Sequence, residues 1–291
     1  GFFQKLFVEA GRGKDLIIFD ANNNRRFNFV DDVLNHGGGS REVTRLLTVC
    51  GETLGGGNSQ NGSADAEYWR REQERMILNA VEIVRLGTKM LLIPELQAFI
   101  TQSASLPSKL HEPDFQASFH YRCVQAANAA PKTPVEQHDY DLAEQYWLGE
   151  VPLMADRTRS SIITGVLGLL HVFNTGQIRE LVSTSTNISP SEMLAKRKWV
   201  LVNVPPALHG DMGNVINAGW KYLTQRAVLR RAAKPGDSFN VIFCDEAQQF
   251  VNSFDSHYLA QCRSHGGCMV YLTQSLHSIF SALKGESGKH Q

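Results

Sequence analysis

The sequence carries no net charge: Lys and Arg together number 29, Asp and Glu also 29, so no global field draws the chain to nucleic acid or membrane. Any such contact has to be local or built by oligomerisation. There is no C-x-x-C pair, and the five cysteines, Cys50, Cys123, Cys244, Cys262 and Cys268, are odd in number. With Cys244 inside an apolar run, this usage fits buried thiols in a reducing compartment. No signal peptide is evident, and the most apolar long stretch, SSIITGVLGLLHVF at 160–173, is too short to cross a bilayer and is interrupted by His171. No G-x-x-x-x-G-K-[ST] phosphate loop occurs. Gly11-Arg-Gly-Lys14 lacks the spacing and the hydroxyl, Gly285-Glu-Ser-Gly-Lys-His has two residues between its glycines instead of four, and both read as turns. No G-x-S-x-G elbow supports a catalytic serine. The histidine pair in HEPDFQASFH is nine residues apart, and His257, His265 and His277 have no Cys or acid at ligand spacing, which speaks against a metal centre built by histidine.

What is present is enough for a core and two domains: 291 residues, 42% of them hydrophobic. The opening GFFQKLFVEAG has no initiator Met, and the chain reads as a piece of a longer protein. Four short apolar runs read as strands: DLIIFD at 15–20, KWVLVNV at 198–204, FNVIFC at 239–244 and CMVYLTQ at 268–274. Helical periodicity fills 211–233 and almost everything between 67 and 188. NHGGGS at 35–40 and GETLGGGNSQNGS at 51–63 read as loops around a short apolar turn. Nearly continuous apolar strands alternating with helices predict an α/β fold, a parallel sheet with helices on both faces, interrupted by an all-α insertion.

The third strand ends abruptly in two acids, VIFC-Asp245-Glu246. Ligands of open parallel sheets bind beyond the carboxyl ends of the strands, where these acids fall. In nucleotide hydrolases the first such acid holds Mg²⁺, usually through water, and the second orients or deprotonates the attacking water. A strand-terminating turn uses the same residue types, so the pair alone does not decide. The fourth strand delivers Thr273 and Gln274 to the same edge, and a glutamine there suits a γ-phosphate or the lytic water. Arg263, in CRSHGG between the two strands, suits a finger reaching a neighbouring subunit's phosphate.

VIFCDEAQQF, LAQCRSHGG and CMVYLTQSL, in that order, resemble the Walker B strand, arginine-bearing turn and TQS strand of the type IV secretion and conjugation coupling proteins. These are the TraG/TraD group of RecA-like, FtsK/HerA-type P-loop ATPases. DLIIFDA followed by RRFNFVD resembles the family's strand ending in Asp and its R-F-N-P segment, with Phe29 in place of proline. EYWRREQERMI resembles its Trp-containing helix, and RKWVLVNVPP its strand ending in proline. The resemblance implies a RecA-like domain in two parts, residues 1–32 and 189–291, around an all-α insertion domain at 33–188 that recruits substrate. It implies ATP and Mg²⁺ as cofactors, with Asp245 toward the metal, Asp20, Asp245 and Gln274 toward the nucleotide, and Glu246, Gln274 and Arg263 in catalysis. It further implies a homo-hexamer at the cytoplasmic face of the bacterial inner membrane, moving DNA or a relaxase–DNA complex toward the secretion channel with relaxosome proteins. The phosphate loop and membrane helices are then expected upstream of Gly1, the alternative being a homologue without the loop.

Two other classes compete. D-E-A-Q also marks the Walker B strand of superfamily 1 and 2 helicases, but these follow it with G-D-x-x-Q or S-A-T type motifs, and here the next strand reads YLTQS. A docking module that binds secretion substrates without hydrolysis accommodates the missing loop. Arg70 and Arg71, Arg157 and Arg159, Lys196 to Lys198, and Arg226, Arg230 and Arg231 form local basic clusters. Each reads singly as a solvated face, and repeated around a ring they would form a basic funnel.

Overall fold

A computed structural model describes residues 2–54, 64–232 and 237–283. The chain forms two compact units. The first comprises Gly1–Phe29, Thr48–Gln60 and Glu180–Gln291, the second Val30–Leu47 and Asn61–Arg179.

In the first unit α1 (Phe2–Glu9) leads into β1 (Leu16–Phe19), which pairs in parallel with β2 (Trp199–Val202) in the register Leu16↔Trp199 to Phe19↔Val202. Strands β3 (Asn240–Cys244) and β4 (Gly267–Tyr271) form a second parallel ladder, Asn240↔Gly267 to Cys244↔Tyr271. The fold is α/β. The described strands thus form two two-stranded ladders where the sequence pointed to one sheet of four. Apolar runs mark strands without naming their neighbours.

Helix α13 (Asp211–Arg230) packs on both ladders. Its Trp220 ring meets Phe19 of β1 at 5.0 Å and Phe27 at 4.6 Å. Its Ala218 joins Cys244, Ala247 and Phe250 in a cluster flanked by Ile242, Met269 and Tyr271. The RRFNF segment lies against this helix because Gly219 leaves room for it: a Cβ there would come within 2.3 Å of the Phe29 ring, which is 1% exposed. Phe27 N–H donates to Leu181 O at 2.7 Å and Asn28 N–H to Ser185 O at 3.1 Å, so the segment is also held by backbone. The unit is completed by α11 (Pro190–Ala195), α12 (Pro206–His209), α14 (Phe254–Gln261) and α15 (Leu276–Ala282).

Every described element of the second unit is helical. Its centre is α4 (Ala64–Gly87), whose Met76, Ile77, Ala80, Val81, Ile83 and Val84 are buried. Around it stand α5 (Ile93–Thr101), α6 (Pro113–Gln116), α7 (Phe119–Ala129), α8 (Pro134–Glu144) and α9 (Asp156–Phe173). Thr133 and Glu136 form a capping box at the start of α8, which continues into a π-helical turn, Gln145–Glu150, carrying the buried Tyr146 and Trp147. Helices α2 (Phe29–Asn35), α3 (Ser40–Leu54) and α10 (Gly176–Val182) run through the boundaries between the units. Helix α3 corrects the sequence reading of a short apolar turn. Val43, Leu46, Leu47 and Cys50 are buried at helical spacing, and the helix runs on through Gly51 to Leu54. The rest of that expected loop, residues 55–63, and the Gly285 turn lie outside the described residues. Among the described residues no single helix is long and apolar enough to cross a membrane.

Gly219→Ala tests the Phe29 contact. In an open helix the change gains about 1 kcal/mol; against a buried ring that cannot retreat it costs about 1–3 kcal/mol. A lowered thermal unfolding midpoint is therefore expected, and a raised one would mean that Phe29 does not need the glycine.

Candidate functional site

Because β3 and β4 are parallel, their carboxyl ends share one edge. Leu272 N–H donates to Cys244 O at 2.8 Å and Ala247 N–H to Leu272 O at 2.9 Å, which carries the ladder past the acids and fixes both strand exits side by side. The chain reverses at Glu246, which has φ 49° and ψ 45°. Arg197 and Glu246 are the non-glycine residues with positive φ among those described. A side chain held there costs about 1–3 kcal/mol and persists where the surroundings over-determine it.

Those surroundings are amides. Gln248 donates to one Glu246 carboxylate oxygen, and Gln274 Nε2 donates to the other at 3.4 Å from the neighbouring strand exit. Asp245 is exposed, and its Oδ1 accepts from Glu246 N–H at 3.1 Å. Thr273 donates to Ser275 O at 3.1 Å, and Ser275 caps α15 by accepting from Ser278 N–H at 3.2 Å, so the TQS exit is stiffened by a helix start. Asp245, Glu246 and Gln274 are thus together on one edge, joined by Gln248, whose part the sequence signalled only as the fourth letter of D-E-A-Q.

Beneath the turn lies a buried ion pair. Lys221 of α13 and Asp255 of α14 are each 4% exposed and are hydrogen-bonded to one another. Lys221 Nζ also donates to Phe250 O at 2.8 Å, and Asp255 accepts from Gln225 Nε2 at 2.7 Å and Asn252 N–H at 3.0 Å. The segment that follows the acids is therefore tied to the helix under both ladders. Burial pushes the Cys244 thiol up to about 12, so it is an uncharged core group beside the acids.

Two expected members share no hydrogen bond or ion pair with that turn. Asp20 follows β1, on the other ladder, where its Oδ1 accepts from Asn22 N–H at 2.9 Å and Asn23 Nδ2 at 2.8 Å; no hydrogen bond or ion pair joins it to the acid turn. Arg263 precedes β4 and so lies at the opposite edge from Gln274, which follows it. Its side chain is exposed and makes no hydrogen bond or ion pair among the described residues. The turn that carries it is clamped by Arg231, which donates to His265 O at 2.8 Å, Gly266 O at 2.7 Å and Ser238 O at 3.2 Å.

Among the described residues no three His, Cys, Asp or Glu converge as metal donors. His120 is a core residue, stacked on Phe99 at 4.0 Å with Nδ1 2.8 Å from Phe99 O, and burial pulls its pKa down to about 4. The open carboxylate of Asp245 does fit Mg²⁺, an ion that keeps most of its waters and takes one or two carboxylates plus phosphate oxygens. The Gln274 amide can donate to a phosphate oxygen and the Glu246 carboxylate can accept from a water; nothing in the 291 residues has the pattern of a phosphate-binding loop.

The sequence matches no family model and no curated protein sequence. A solved structure does match: a bacterial conjugative coupling protein, TrwBdeltaN70, in its unbound monoclinic form, with a TM-score of 0.61 at 11% identity over 96% of this chain. The two share a fold. The chain spans 55% of that neighbour's length.

Lys221→Met, which strands Asp255 in the core, is expected to destabilise the protein by about 3–5 kcal/mol, and adding Asp255→Leu should recover much of that loss. Urea unfolding midpoints check both. A single-variant loss within the ~0.5 kcal/mol typical of surface changes would contradict the pair's role.

Proposed function

We propose that the chain is part of the ATPase domain of a coupling protein that uses ATP hydrolysis to move DNA, or nucleoprotein, toward a type IV secretion channel. The observation that carries the reading is Glu246, held in a left-handed turn at the carboxyl edge of a parallel pair with Gln274 of the adjacent strand on its carboxylate. The shared fold with a conjugative coupling protein supports it. In this reading the first unit is a RecA-like domain and the helical unit is its insertion.

Bound nucleotide with Mg²⁺ would supply the electrophilic terminal phosphate. Asp245 would hold the ion through water, and Glu246 would orient the attacking water and take its proton. Gln274 would report the terminal phosphate to α15, which starts at Ser275. Arg263, at the far edge and with no side-chain partner among the described residues, would serve a neighbouring copy in a homo-hexameric ring, and Asp20 would border the nucleotide at the end of β1. The inner-phosphate loop would come from polypeptide outside these residues. In keeping with that, Phe239 just before β3 and Val241 and Phe243 on its outer face are 67%, 45% and 66% exposed, whereas parallel sheets are normally covered on both faces. Anchorage at the inner membrane and contacts with the secretion channel and relaxosome proteins would belong to that larger protein.

In the complete protein containing these residues, Glu246→Gln is expected to retain nucleotide binding and lose about 10²–10⁴-fold in turnover; undiminished turnover would remove Glu246 from the reaction. Arg263→Ala subunits mixed with active ones should depress activity by more than their share, and a proportional loss would contradict action across an interface. The 291 residues alone should bind and hydrolyse ATP negligibly.

A further inference from the structure

Side chains two residues apart do not face one another on a helix. Gln248 nevertheless reaches the Glu246 carboxylate, because Glu246 stands left-handed, with φ 49° and ψ 45°, immediately before the 3₁₀ turn Ala247–Gln249. The backbone on either side of Gln248 is anchored. Ala247 is fully buried and Phe250 is 9% exposed, both in the cluster under β3 and β4. Gln249 N–H donates to Glu246 O at 3.0 Å and Val251 N–H to Ala247 O at 2.9 Å. Between these anchors Gln249 is exposed, while Gln248 is half-buried and turned toward the acid. The two adjacent glutamines of D-E-A-Q-Q thus have different surroundings, and the first of them meets the carboxylate.

That contact leaves another group unpaired. Gln248 Nε2 donates to Glu246 Oε2, and Gln248 Oε1 is buried with no hydrogen-bond partner among the described residues. An ionised carboxylate only accepts, so the amide has to present its NH₂ side to Glu246, and its carbonyl stays in the interior. Buried acceptors without a partner are rare in folded proteins. Here one coincides with a non-glycine residue at positive φ, so two unfavourable local features meet in a single hydrogen bond. Neither is needed to end a strand: a glycine adopts the left-handed turn without strain, and a solvated side chain at position 248 would leave no carbonyl unpaired. What the two features together provide is a carboxylate whose rotation is fixed from within its own turn. Gln274, from the next strand, reaches the other oxygen, Oε1, at 3.4 Å.

We propose that Gln248 is a positioning residue for the general base: it holds Oε2 of Glu246 and so presents Oε1 to the attacking water. The inference rests on the reading of Glu246 given above and goes beyond it in naming the side chain that orients the base.

Steady-state ATP hydrolysis by the complete protein, with rates normalised to nucleotide-bound protein, provides the test. Gln248→Met keeps the length of the side chain and removes the donor together with the unpaired carbonyl, so the fold is expected to survive. Its kcat is expected to fall about tenfold or more with KM little changed, the signature of a misaligned reacting group. Gln248→Glu, of the same shape but with a like charge beside Glu246, should be slower still. Gln249→Met, the same change at the exposed neighbour, should turn over like the parent. On a Glu246→Gln background Gln248→Met should add no further loss, because it acts only through that carboxylate. Parent-like turnover by Gln248→Met beside a slow Glu246→Gln overturns the proposal and leaves the Glu246 reading standing. A further loss on the Glu246→Gln background also overturns it, since a residue that merely supports the fold would behave in that way. Undiminished turnover by Glu246→Gln removes the reading and the proposal together.

Discussion

Lys221 carries a full charge at 4% exposure, and its two bonds, to Asp255 and to Phe250 O, are what keep that charge tolerable. A lysine so placed constrains everything that touches it. Helix α13 cannot rotate without stranding the ammonium, and residues 250–255 cannot drift without stranding the carboxylate, since either event exposes a buried unpaired ion at several kcal/mol. The same helix packs Trp220 on Phe19 of one ladder and Ala218 on Cys244 of the other. The acid turn therefore rests on a rigid base that also sets the placement of β1 and β3.

On that base the strain at Glu246 becomes useful. A left-handed glutamate at a strand end turns the chain sharply enough for its carboxylate to meet an amide from its own turn, Gln248, and one from the next strand, Gln274. Without Gln274 the Glu246 carboxylate would keep one amide, that of Gln248. At 3.4 Å the Gln274 contact is long for a hydrogen bond.

The four strands were legible as apolar runs, and the acid pair as an abrupt change of polarity at a carboxyl end. Strand neighbours were not, because nothing in an apolar run encodes which ladder it joins. The Lys221–Asp255 pair spans 34 residues and leaves no periodic trace. Helix α3 was hidden by glycines on both sides, although Val43, Leu46, Leu47 and Cys50 already carried its spacing. The position of Arg263 was implicit in the topology, since a residue before a strand and one after it lie at opposite edges.

The central claim is that Glu246 and Gln274 act as one unit on a terminal phosphate. A double-mutant cycle in the complete protein, read by single-turnover hydrolysis with Glu246→Gln, Gln274→Ala and both together, measures that most directly. The account predicts strong non-additivity, with the double variant no slower than Glu246→Gln alone. Losses that simply multiply would show two independent residues and contradict it.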